Sequence, residues 1–138
     1  MRDIKDDELK KLDENLTYQP VYSVIRRAER TFARISPNIP EVHKKTVREI
    51  NWLLAHSCTS VAHAGDEFTF KKKYMYLQAA RDDLFDVYHH IVFIVDGNGM
   101  TPGAANEVIV HVGDAHKQVC AWQSSEIRKN GGLQGGSV

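Results

Sequence analysis

Cysteine is scarce in this sequence: Cys58 and Cys120 are the only two. Two thiols give no disulfide framework, and the pattern fits a reducing, cytoplasmic setting. No apolar run is long enough to span a bilayer, so no membrane partner is expected. The opening Met1-Arg2-Asp3-Ile4-Lys5-Asp6-Asp7 lacks the apolar stretch of a secretory leader, and none is expected. An excess of charge of one sign is missing too. Lysine plus arginine and aspartate plus glutamate each total 18, so the net charge is zero. That balance excludes a protein held on nucleic acid by bulk charge alone. No segment alternates with a period of two for long, so strands are not expected.

What is present is helical. The 138 residues are 42% hydrophobic and 26% charged, enough for one domain with a core that needs no metal. Three groups of breakers divide the chain. Ser36-Pro37-Asn38-Ile39-Pro40 is the first, with Pro40 suited to the first turn of a new helix. Ala64-Gly65-Asp66 reads as a glycine stop followed by an aspartate cap. Asp96-Gly97-Asn98-Gly99-Met100-Thr101-Pro102 is the strongest, with Thr101 as N-cap and Pro102 as first helical residue.

Between the breaks, apolar residues recur in steps of three and four. From Val21 the first segment gives Ile25, Ala28, Phe32 and Ile35; the second gives Val47, Ile50, Leu54, Val61 and Ala64, with Ser57 and Cys58 beside them. The third gives Phe70, Tyr74, Leu77, Leu84, Tyr88, Ile91 and Val95, and the fourth Ala105, Val108, Val112, Ala115, Val119 and Trp122. Such stripes with short connections predict an all-α, antiparallel up-down four-helix bundle. Its expected limits are 18–130, after a polar arm (1–17) and before a flexible glycine-rich tail (131–138).

Arg81 is the one charge on the third stripe and reads as snorkelling from the bundle edge. The same segment carries a second apolar set, Phe85, Val92 and Phe93, close to Met75. A lone bundle would leave that face wet, so it is a candidate subunit interface.

Charge is uneven along the chain. Residues 21–50 hold seven basic side chains (Arg26, Arg27, Arg30, Arg34, Lys44, Lys45 and Arg48) against three acidic ones. Arg26, Arg30 and Arg34 recur every four residues and line one helix face, and Lys71-Lys72-Lys73 forms a second cluster. Arginine grips phosphate bidentately, so these ten residues are candidate RNA contacts; a solvated helix face is the other reading.

Catalytic signatures are thin. His111 and His116 point different ways on a helix. His56 and His63 share a face, with no carboxylate or cysteine expected to complete a metal set there. Asp82, Asp83 and Asp86 form an acidic patch without the Glu-x-x-His pattern of di-iron bundles. No phosphate-binding glycine loop or nucleophile motif occurs. The expectation is a non-enzyme with no metal and no cofactor.

From Tyr18 to about Arg128 the chain resembles the accessory variability determinant family of diversity-generating retroelements. That family lies within the four-helix bundles named for a ribosomal-RNA intervening-sequence protein. The residues that carry the resemblance are Gly99-Met100-Thr101-Pro102, Val108, Val112-Gly113 and Val119 through Ala121-Trp122. They are similar to the family's final helix; Tyr22-Ser23-Val24-Ile25 and the loop at Pro37 also fit. The resemblance implies a homopentameric barrel that is not itself catalytic. It would bind a reverse transcriptase and its template RNA, or an RNA/DNA hybrid, and support mutagenic complementary-DNA synthesis. Retroelement members are typically strongly basic, whereas this chain is neutral. The alternative is an oligomeric protein-interaction scaffold on the same fold that binds no nucleic acid.

Overall fold

A computed structural model describes residues 20–131. The expected arm (1–17) and the tail beyond Gly131 lie outside these residues. Four helices run α1 Pro20–Ile35, α2 Lys44–Asp66, α3 Phe70–Asp96 and α4 Pro102–Lys129. Each packs on the next, and α1 closes the ring against α4. The α2–α3 pair is antiparallel, because His56 meets Asp83 while His63 meets Tyr76. The chain is an all-α four-helix bundle, and the described residues contain no strand. No helix among them is long and apolar enough to cross a membrane.

The core follows the three-four stripes on three of the four helices. Ile25, Ala28 and Phe32 of α1 meet Ile50, Leu54 and Val61 of α2 and Val108, Ala115 and Val119 of α4, all fully buried. Burial of a side chain such as Phe32 contributes about 1.5–3 kcal/mol. α3 departs from expectation. Its buried stripe still steps by three and four but runs Leu77, Ala80, Leu84, Val87, Ile91 and Ile94, so Val87 and Ile94 are buried in place of Tyr88 and Val95. Tyr88, expected on the seam, is 42% exposed. Arg81 sits at the edge and donates from Nη1 to Gln123 Oε1 on α4 at 3.1 Å. Gln123 in turn donates from Nε2 to Gln78 Oε1 at 2.9 Å, which satisfies a buried amide across the α3–α4 seam.

The three breaks resolve differently. Around Ile39-Pro40 the chain makes two 3-10 turns, Ser36–Asn38 and Glu41–His43, before α2 begins at Lys44. Pro40 therefore opens the second of these turns and not α2 itself. At the second break the expected stop is displaced. α2 runs through Gly65 and Asp66, and the N-cap of α3 is Thr69, not Asp66. Glu67 Oε1 accepts the Thr69 N–H at 3.1 Å, an acceptor that holds the turn without help from Asp66. The third break matches the sequence: Thr101 Oγ1 accepts the Ala104 N–H at 3.1 Å, and Pro102 is the first residue of α4. Asn98 takes the left-handed φ of 59° that asparagine tolerates. Gly97 and Gly99 serve space, since the His43 imidazole packs where their Cβ atoms would stand.

Candidate nucleic-acid and assembly surfaces

The arginine row on α1 is exposed, as its spacing requires, but its two ends are engaged. Successive steps of four residues rotate about 40° each, so Arg26 and Arg34 lie about 80° apart around the helix. Arg26 Nη1 lies 3.1 Å from Glu29 Oε1. That carboxylate oxygen also accepts from the Cys58 thiol of α2 at 3.3 Å. Arg34 Nη2 leans the other way, onto Glu107 Oε2 of α4 at 2.6 Å. Both ion pairs are solvent-facing, worth about 0–1 kcal/mol each, so a phosphate can displace either carboxylate cheaply. Arg27 and Arg30 make no ion pair among the described residues.

On α2, Lys44 pairs with Glu41 at 3.2 Å, while Lys45 and Arg48 have no carboxylate partner among the described residues. Lys71-Lys72-Lys73 stands at the opposite end of the bundle. Lys73 approaches Glu126 at 3.8 Å, whereas Arg34 reaches Glu107. Those two acids are about 28 Å apart along α4 at 1.5 Å per residue. The lysine run is thus separate from the cations near Arg34.

The expected assembly residues are on the outer side of α3. Phe85 is 55% and Phe93 62% exposed, with Met75 at 60% and Val92 half-buried. Phe85 and Phe93 are about 80° apart around the helix. Phe85 leans to the α4 side, where it lines a groove of about 180 Å³ with Tyr88, Gly113 and His116. His89 meets the edges of both Phe85 and Tyr88, with ring centroids at 4.5 and 5.3 Å.

Compared with family models, curated proteins and solved structures, the chain matches none. The resemblance to the retroelement accessory family therefore rests on the quoted residues. Here Thr101 and Pro102 start α4, Gly99 accommodates His43, and Val108, Val112 and Val119 are core. Trp122 donates from Nε1 to Glu126 Oε1 at 3.3 Å.

Two of the acid and histidine readings change. Asp83 is not part of a solvated patch with Asp82 and Asp86; it is 9% exposed and turned into the bundle. Its Oδ2 lies 2.6 Å from Nδ1 of His56, so a carboxylate does reach the histidine face of α2. Hydrophobic periodicity hides this pair because its members are on different helices. Burial pushes the Asp83 carboxyl above its ordinary value, and the bond to His56 opposes that shift. The pair lacks a nucleophile: no hydroxyl or thiol among the described residues bonds the His56 ring. No group of three or more His, Cys, Asp or Glu side chains among the described residues is placed to hold a metal. Elsewhere, burial and then Arg81 lower the His116 imidazole, whose Nδ1 is 3.8 Å from Cys120 Sγ. Cys58 is buried, and burial and the Glu29 carboxylate push its thiol well above the usual range.

Proposed function

We propose that the protein is a non-catalytic accessory that binds structured RNA in company with a reverse transcriptase and works as a homo-oligomer. The observation that carries the RNA reading is the set of exposed cations on α1 and α2: Arg27, Arg30, Lys45 and Arg48 have no carboxylate partner among the described residues. The resemblance supplies the polymerase partner and the pentameric state. In a pentamer each patch repeats five times, so a neutral chain still builds a basic surface. Phosphate contacts of this kind position RNA without reading its sequence.

A second reading, an oligomeric protein scaffold without nucleic acid, is favoured by Glu29 and Glu107, which already engage Arg26 and Arg34. The deciding measurement is RNA affinity across several salt concentrations, with and without the polymerase. Exchanging Arg27, Arg30, Lys45 and Arg48 for glutamine should flatten the salt dependence, because each neutralised phosphate releases counterions. If that variant binds and supports complementary-DNA synthesis like the wild type, the scaffold reading replaces this one. Assembly is tested separately: Phe85→Glu with Phe93→Glu should reduce the particle to a monomer by light scattering.

A further inference from the structure

Basic and aromatic residues interleave on the outer face of α2. Lys45, Arg48, Trp52, His56, Thr59 and His63 are all exposed. At 3.6 residues per turn they fall within an arc of about 80°, and they extend about 27 Å along the helix. Trp52 is 57% exposed and stacks on the His56 ring, with centroids 4.7 Å apart and an interplanar angle of 8°. Further along, His63 stacks on Tyr76 of α3 at 5.0 Å. The Asp83 carboxylate holds His56 from behind at 2.6 Å, so this ring is fixed before any ligand arrives.

Beside these stacks runs a groove of about 660 Å³ between α2 and α3, lined by Ser60, Lys72, Met75 and Ala79 together with the two histidines and Tyr76. Ser60 is 4% exposed, and its hydroxyl has no hydrogen-bond partner among the described residues. A buried hydroxyl normally finds a partner, and this one borders a groove able to receive one. Neighbouring Ser57 and Thr59, by contrast, donate to the Leu54 and Ala55 carbonyls.

We propose that the α2–α3 groove binds single-stranded nucleic acid, with unstacked bases against the Trp52–His56 and His63–Tyr76 stacks and a base edge on the Ser60 hydroxyl. Single-stranded RNA is recognised in this way, by stacking of splayed bases on aromatic and histidine rings, whereas a duplex hides its base faces. Charge fixes where the phosphates go. Asp83 lies behind His56 in the middle of the strip, with exposed Asp86 three residues further along α3, while Glu49 adjoins Arg48 at the basic end. The two α3 carboxylates disfavour phosphates at the His56 stack and leave them to Lys45 and Arg48 at one end and Lys72 at the other. This site rests on the RNA reading above and sharpens it: the ligand is an unpaired segment, and α2 and α3 grip its bases.

The test is fluorescence anisotropy of the full chain with a labelled oligouridylate, alone and annealed to oligoadenylate. The wild type should prefer the single strand by about tenfold, the contribution of a stacked base or two. Trp52→Ala should lose about tenfold in single-strand affinity while the dependence of affinity on salt stays the same, since stacking releases no counterions. Trp52→Phe should retain most of the binding, and Lys72→Gln should reduce the salt dependence. Trp52 is outside the core, so circular dichroism should show these variants folded. Wild type that binds RNA while Trp52→Ala binds equally well overturns the groove and leaves the RNA reading in place. Wild type that binds neither strand, with or without the polymerase, overturns both.

Discussion

Replacing Gly99 by alanine tests how the bundle closes at its loop end. A Cβ on Gly99 would stand 2.7 Å from His43 Nε2 and 2.8 Å from Ile94 Cγ2, and closer still to His43 Cδ2. Real Cβ atoms do not approach other heavy atoms so closely, so something must move. Ile94 is fully buried in α3 and has no free direction. His43 ends the Glu41–His43 turn and is the more movable wall. Neither Gly97 nor Gly99 has a positive φ, so the penalty is steric and not conformational. Overpacking of this kind costs about 1–3 kcal/mol. At a urea dependence of about 2 kcal/mol per molar, a loss of about 2 kcal/mol lowers the unfolding midpoint by about 1 M. Circular dichroism during urea titration measures it directly. In a His43→Ala background one wall is gone, so the same glycine substitution should cost less, with a coupling above about 0.5 kcal/mol. A Gly99→Ala midpoint equal to wild type, or an equal cost in both backgrounds, refutes the packing of His43 onto this loop.

His56→Ala should strand the Asp83 carboxylate in a buried site and cost about 1–3 kcal/mol at neutral pH. Because burial raises the Asp83 pKa in the folded state, its stabilising contribution is present below the ordinary carboxylate range and is lost as pH rises through the raised value. The His56→Ala deficit should therefore shrink in acid; urea midpoints that differ equally at about pH 3 and about pH 7 would contradict this. His116 has the opposite sign. Its folded pKa is depressed, so its contribution is full above the ordinary imidazole value of about 6.5 and declines as pH falls through that value toward the depressed one. His116→Gln should remove that slope, and an unchanged slope would refute it.

Where only one apolar stripe fits the spacing, the sequence is plain: Ile25, Ala28, Phe32 and Ile35 on α1 are all buried, as are Val108, Val112, Ala115 and Val119 on α4. On α3 apolar residues stand in adjacent pairs, Val87-Tyr88 and Ile94-Val95, so spacing alone admits either member of each pair. The structure buries Val87 and Ile94 together with Ala80 and leaves Tyr88 42% exposed. Asp66 stays inside α2, and Thr69 takes the N-cap position of α3 without a side-chain bond, while Glu67 accepts the Thr69 N–H. The arginine row was plain from its spacing, but Glu107, which takes Arg34, is on another helix. Asp83 was misplaced for the same reason: its partner is on α2. The α2 strip was available as well, since the positions from Lys45 to His63 share a face by arithmetic. Trp52 marks it, a large aromatic on the polar side of an amphipathic helix.

The thiol locked between α1 and α2 gives this molecule a clock for its own opening. Alkylating reagents attack thiolates, and Cys58, buried against Glu29 with its proton held tightly, offers almost none while the two helices stay together. Its labelling rate therefore counts the moments at which α1 parts from α2, and with it the free energy of that local excursion. Cys120 is half-buried on α4, outside that lock, and labels without waiting for it. Oxidants meet the same order of access, so sulfenic acid forms at Cys120 before Cys58, and oxidation at Cys58 records that the bundle has already opened.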